Sequence, residues 1–292
     1  MSDIEMNMFQ TFIKSLKVLL LVYVCLVIAL YFKQRSLIYF PSWKRPVAPK
    51  IAEIATVTTE DGLELQGWYF AAHNKNFPTL IYFHGNAIGI AAHLVKINEY
   101  LAAGYGVLLT EYRGYSGNPG KPSEQGLYKD ARAYLNWLKE EKNIPVSQIV
   151  IYGESIGSGV ALEMIKEFDE RGDYPYALVL EAPFVSLLQM AKRRYFFVPV
   201  DWLLLDRFMN IEKMSHVKVP LLVVNGQLDE LIPNTDGQIL YNMAKEPKTY
   251  VMIPAGDHNG LHLHGLQKYV LDFLAGIRLR DLDNTESGIS QE

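Results

Sequence analysis

Three residues far apart in the chain, Ser155, Asp229 and His258, have the types and settings of a nucleophile, an acid and a base. Ser155 sits in Gly153-Glu154-Ser155-Ile156-Gly157, after the apolar run 149–152 and before Val160, Ala161, Leu162, Met164 and Ile165 at helical spacing. The β-branched and aromatic residues of the run suit a strand buried on both faces, and the later spacing suits a helix. A strand that passes straight into a helix through one serine needs a turn so tight that the serine adopts strained backbone angles. Side chains two positions away on either side would clash there, which accounts for Gly153 and Gly157. The hydroxyl is left exposed at the sheet edge, beside a helix N-terminus that favours negative charge.

A serine hydroxyl is a poor nucleophile until a base removes its proton, and the base needs a carboxylate behind it. In a sheet of this kind the acid and then the histidine follow the serine, each at the C-terminal end of a later strand. Asp229 lies in the loop that leaves the apolar run 221–224, and His258 follows the run 249–253. Glu230 neighbours Asp229, but a shift of one residue turns its side chain away. Asp257 is adjacent to His258 and badly placed to bond its ring. A zinc site from His258, His262 and His264 is the competing reading, and it lacks a carboxylate or cysteine at familiar spacing. Neither metal nor cofactor is therefore expected. Acyl transfer also needs two N–H donors for an oxyanion. Ile156 supplies one; the other is expected from Asn86 or Ala87 after the strand 79–83, where Gly85 lets the backbone approach and His84 braces the loop.

The elements that must position these groups alternate. An apolar hairpin at 54–59 and 63–70 turns at Glu60-Asp61-Gly62. Strands at 79–83, 107–112, 149–152, 177–180, 221–224 and 249–253 are interleaved with helices at about 90–102, 123–141, after Ser155, and 263–274. That rhythm predicts an α/β fold, a mostly parallel sheet with helices on both faces. Residues 185–217 break it, with apolar stretches at 195–200 and 202–205, and read as a small helical cap over the site.

With 292 residues, 49% hydrophobic content and a net charge of −4, the chain has no basic footprint for nucleic acid. Its one cysteine, Cys25, excludes an internal disulfide. Residues 18–32 carry no charge and are flanked by Lys14 and Lys17 before and Lys33 and Arg35 after. The run is about 22 Å long as a helix, and with Phe12, Ile13 and snorkelling lysines it reads as a single membrane anchor. A cleaved signal peptide is disfavoured because no small-x-small site follows. Five basic residues soon after the run, against two before it, favour the cytoplasmic side for the rest of the chain. The expected plan is a tail and anchor over 1–35, a linker over 36–53, a catalytic domain over 54–277 with its cap at about 185–217, and a disordered tail over 278–292.

Gly-Glu-Ser-Ile-Gly, Phe-His-Gly-Asn-Ala, Tyr-Arg-Gly-Tyr-Ser-Gly, Glu-Ala-Pro-Phe and Ala-Gly-Asp-His-Asn, in this order, resemble the α/β-hydrolase family. They are most similar to its membrane-anchored members, related to the eukaryotic protein depalmitoylases. The resemblance covers about 37–274. It implies Ser155 as nucleophile, Asp229 as acid, His258 as base, and an oxyanion hole from Ile156 with Asn86 or Ala87. Glu111, Asp257 and Gly260 depart from that family's usual Asp, Gly and Asp. The reading is a membrane-anchored serine hydrolase cleaving esters or thioesters of small-molecule, lipid or protein-borne acyl groups, without a cofactor. A peptidase of the same fold and a non-catalytic membrane scaffold are the alternatives.

Overall fold

Successive side chains of a strand point to opposite faces, so strands that are apolar at every position must be covered on both sides. The computed structural model describes residues 3–86 and 89–289. Its strands are β1 (Glu53–Thr58), β2 (Glu64–Phe70), β3 (Thr79–Phe83), β4 (Gly106–Leu109), β5 (Ile149–Glu154), β6 (Ala177–Glu181), β7 (Leu221–Gly226) and β8 (Lys248–Ile253). Its helices are α1 (Asp3–Ile38), α2 (Leu94–Ala102), α3 (Glu124–Glu140), α4 (Ile156–Arg171), α5 (Leu187–Arg194), α6 (Val200–Leu203), α7 (Asn210–Lys213), α8 (Asn234–Met243) and α9 (Leu266–Ile289). The eight strands form one sheet in the order β1-β2-β4-β3-β5-β6-β7-β8. Only the β1–β2 and β2–β4 pairs are antiparallel; the rest are parallel.

The alternation divides the core. Ile81, Phe83, Ile151 and Val223 face α3, α4 and α8, while Leu80, Tyr82, Val150 and Val224 face α2 and α9. This is the α/β architecture expected from the chain's rhythm, and α5, α6 and α7 form the cap. Where β5 meets α4, a Cβ on Gly153 would lie 2.7 Å from that of Ala161, and one on Gly157 would lie 2.6 Å from the Phe83 carbonyl carbon. Both contacts are closer than real Cβ atoms allow, so glycine lets α4 lie directly on β3 and β5.

Three local features differ from the sequence reading. β4 ends at Leu109 rather than Tyr112, because Glu111 is drawn away to His84 and to the Ile90 N–H. Helix α8, which the apolar pattern does not announce, follows Pro233. Helix α9 continues to Ile289, so the stretch expected to be disordered from Arg278 onward is helical that far; residues 290–292 lie outside the described ones.

Helix α1 has a stretch of mean hydropathy 2.4 with none of it buried, long and apolar enough to cross a membrane. It meets the cap through polar contacts. Gln34 accepts from the Leu205 N–H at 2.8 Å, and Arg35 pairs with Asp206 at 2.9 Å.

Gly157→Ala is expected to cost about 1–3 kcal/mol from overpacking at the elbow. It should also lower turnover by more than the stability loss explains, since the displaced backbone carries Ser155. Thermal unfolding and steady-state kinetics on the same preparation check both.

Candidate active site

Ser155 has φ 51° and ψ −117°, a conformation that L residues rarely adopt. Its N–H donates to the Glu181 carbonyl at 2.9 Å, tying the turn to β6. The strand order then brings the loops after β7 and β8 alongside. His258 Nε2 stands 3.0 Å from Ser155 Oγ, and its Nδ1 stands 2.7 Å from Asp229 Oδ2. With a carboxylate on Nδ1, the tautomer that satisfies both contacts carries its proton there, leaving Nε2 to accept from the hydroxyl.

Asp229 is fixed in turn. Its Oδ1 accepts from the N–H groups of Leu231 at 2.9 Å and Ile232 at 2.8 Å, and its carboxylate is fully buried. Asp257 instead accepts from the N–H groups of Asn259 and Gly260 within its own loop. Glu230 is exposed and borders the cavity described below. Both His258 nitrogens are engaged, so neither is left to a metal. Among the described residues no His, Cys, Asp or Glu cluster is arranged to hold one.

The oxyanion side is partly described. Ile156 opens α4 immediately after Ser155. Gly85 lies so close that a Cβ on it would be 3.4 Å from that of Ser155. Asn86 uses its side chain elsewhere: Oδ1 accepts from Tyr115 Oη at 2.8 Å and from the Phe40 N–H at 3.1 Å, and Nδ2 donates to the Ile38 carbonyl. The loop after β3 is thereby tied to the end of α1. Ala87 lies outside the described residues.

Glu111, whose role the sequence reading left open, braces this loop from both ends. One oxygen contacts His84 Nε2 at 2.8 Å, and the other accepts from the Ile90 N–H at 2.7 Å. Burial disfavours charge on both partners, yet their mutual attraction wins: His84 is raised above its ordinary 6.5 and Glu111 lowered below its ordinary 4.5. Beside this pair, Glu154 accepts from Lys96 Nζ at 2.6 Å and Tyr82 Oη at 2.5 Å. Burial pushes Glu154 up, but the Lys96 cation overrides it and holds the carboxyl down at about 2. Glu181, 3.5 Å from the same lysine, is raised by burial and by the charge of Glu154. Lys96 carried no signal in the sequence beyond a charge on a helix.

Over Ser155 lies a cavity of about 730 Å³, within the ~300–1,000 Å³ typical of ligand sites. Ser155 and Ile156 line it together with Leu187 and Val198 of the cap and Leu30 and Leu37 of α1.

No family model matches the chain. The uncharacterized protein Rv2307c of Mycobacterium tuberculosis is 38% identical over 234 residues, covering 78% of this chain and 81% of that protein. The uncharacterized protein YfhR of Escherichia coli K12 is 31% identical over 216 residues, 72% of this chain and 74% of its own. The lysophosphatidylserine lipase ABHD12 of Rattus norvegicus is 34% identical over 200 residues, 63% of this chain but only 50% of that lipase. Among solved structures, the Pyrococcus furiosus esterase Pf2001 superposes with a TM-score of 0.64 at 20% identity, over 81% of this chain and 96% of its own. An alpha-beta hydrolase from Vibrio vulnificus gives 0.62 at 20% identity, over 78% and 88%.

Glu111→Gln keeps the shape and removes the charge, leaving His84 buried without its counter-ion. The expected loss is about 3–5 kcal/mol of stability, read by denaturation. The contribution of Glu111 in the wild type is present above about 4.5 and fades as pH falls through its lowered pKa; that of His84 is full below about 6.5 and fades as pH rises through its raised one. The pH dependence of stability should flatten correspondingly in the variant.

Proposed function

The chain belongs to the α/β-hydrolase family, and on that premise we propose that it is a serine hydrolase, held in a membrane by α1, that cleaves ester or thioester bonds of lipophilic acyl substrates through an acyl-enzyme. The observation that carries the reading is the relay from Ser155 through His258 to Asp229, with contacts of 3.0 and 2.7 Å. In the proposed reaction Ser155 Oγ attacks the acyl carbon while His258 Nε2 takes its proton, and Asp229 steadies the imidazolium that forms. The Ile156 N–H and one from the loop after β3 receive the oxyanion. His258 passes the proton to the departing alcohol or thiol, then deprotonates a water that attacks the acyl carbon and frees Ser155.

The apolar cavity walls support a long acyl chain as the bound group. The relatives named lysophosphatidylserine lipases support an ester with one acyl chain and a polar head, and the motif resemblance to protein depalmitoylases supports a thioester on an acylated protein as the second substrate to test. The excess of basic residues after the apolar run favours the cytoplasmic face for the catalytic domain.

A fluorophosphonate should label the wild-type protein, and Ser155→Ala should abolish that labelling. His258→Gln should lower kcat by about 10⁴-fold or more with the fold intact. A wild-type protein that stays unlabelled would leave a scaffold, not an enzyme.

Turnover of a series of esters should rise with acyl chain length, and alkaline carbonate should leave the protein in the membrane pellet. A sharp preference for acetyl esters would sink the lipophilic assignment, and release into the supernatant would sink the anchor.

A further inference from the structure

Tyr23 Oη donates to the carbonyl of Phe197 at 2.8 Å. Phe197 is at the tip of the cap, whereas Tyr23 is inside the uncharged run 18–32 of α1, nine residues before Phe32, about 14 Å along a helix. We propose that the cap tip is itself immersed in the bilayer beside α1, and that the cavity between them is a side door through which an acyl chain passes from the hydrocarbon core to Ser155, with α1 as one of its walls. This rests on the anchor and the relay proposed above.

Four observations converge on it. First, an irregular carbonyl at hydrocarbon depth needs a donor because no water reaches it, and Tyr23 is that donor for Phe197. Second, the tip presents Phe196 at 85% exposure and Trp202 at 86%, a placement that costs free energy in water and none in hydrocarbon. Third, polarity along the cap runs in register with polarity along α1. Where the helix leaves its apolar run, Gln34 bonds the backbone of Leu203 and Leu205, and Arg35 pairs with Asp206. Lys192, Arg193 and Arg194 end α5 just before the tip, and in the proposed placement Arg194 is the one that reaches back to an anionic headgroup. Among the described residues Arg194 has no carboxylate partner, whereas Lys192 pairs with Asp201 and Arg193 with Asp236.

Fourth, the cavity follows one stripe of α1. Val27, Leu30, Tyr31, Gln34, Leu37 and Ile38 line it, the spacing of a single helix face. Val27, Leu30 and Tyr31 belong to the uncharged run, and Ser155 and Ile156 line the same cavity. The cavity is therefore bordered both by residues of the uncharged run and by Ser155.

The test uses the full chain in lipid nanodiscs. In a Cys25→Ser background, Phe196→Cys carrying an environment-sensitive fluorophore should be quenched by lipids with spin labels on their acyl chains and shielded from aqueous iodide; the reverse pattern overturns the proposal. Phe196→Asp combined with Trp202→Asp should lower turnover of a long-chain monoacyl ester embedded in the bilayer at least tenfold while sparing a water-soluble butyrate ester, and equal effects on both overturn it. Leu30→Trp should shift the preferred acyl chain to shorter lengths; an unchanged profile removes α1 from the wall. Fluorophosphonate labelling and carbonate extraction of the wild type separate the two levels. Loss of either defeats the underlying reading, whereas a labelled, membrane-held protein that fails the quenching and substrate arms defeats the side door alone.

Discussion

The site depends on a backbone shape that its own residue resists. Ser155 at φ 51° and ψ −117° carries strain of order 1–3 kcal/mol, and it persists because the surroundings leave no alternative. β5 is paired along its length with β3 on one side and β6 on the other. At the next residue α4 begins, with Val160, Ala161 and Leu162 fully buried. Gly153 and Gly157 let that helix press onto the strands, and the same close approach brings the loop after β3 against Ser155. The other two members of the relay follow from strand order. β7 and β8 pair in parallel through Gly226 and Ile253, so the loops leaving them, with Asp229 and His258, emerge side by side on the edge where Ser155 stands.

Buried charge holds the elements around the elbow in place. Replacing a buried ion pair by apolar side chains is often neutral or stabilising, so these pairs are better understood as positional devices than as stability. Glu154 is the residue immediately before Ser155, and its carboxylate meets Lys96 of α2. Glu111 meets His84 and the Ile90 N–H, holding the chain on both sides of the loop proposed to present an oxyanion donor. In each case one fixed carboxylate ties a neighbouring segment to the sheet, and such pre-organisation suits the proposed oxyanion donors.

That Ser155, Asp229 and His258 would meet was legible because the signal around each is local. A strand, a glycine-flanked serine and a helix lie within a few turns of sequence, and the preference for Asp229 over its neighbours has a physical reason in the fold. The second oxygen of Asp229 is held by the N–H groups of Leu231 and Ile232, while Asp257 caps its own loop. Helix α8 was not legible, since its apolar residues are sparse, and Gly237 inside it serves close packing on Asn225 rather than helix propensity. The contacts joining α1 to the cap span 174 residues for Tyr23 with Phe197 and 171 for Gln34 with Leu205. A lone tyrosine in an apolar helix, or a glutamine just after it, reads as incidental until the fold supplies its partner.

Those distant contacts give α1 a second task besides the proposed anchoring. In the proposed setting, drawing an acyl chain from a bilayer into water costs ~0.8 kcal/mol for each CH₂ exposed, so a chain of about sixteen carbons would meet a barrier of order 13 kcal/mol. A groove opening to water would face that cost before any chemistry. A cavity whose far wall is the membrane helix exchanges one apolar environment for another, and the cost nearly vanishes. Chain burial then contributes little net binding energy, because the reference state is already apolar. What remains to favour reaction is position: the carbonyl must arrive where Ser155, His258 and the oxyanion donors converge. The polar fastening of α1 by Gln34, Arg35 and Asn86 fixes the helix relative to that point, so a chain guided along it reaches the nucleophile in a defined register.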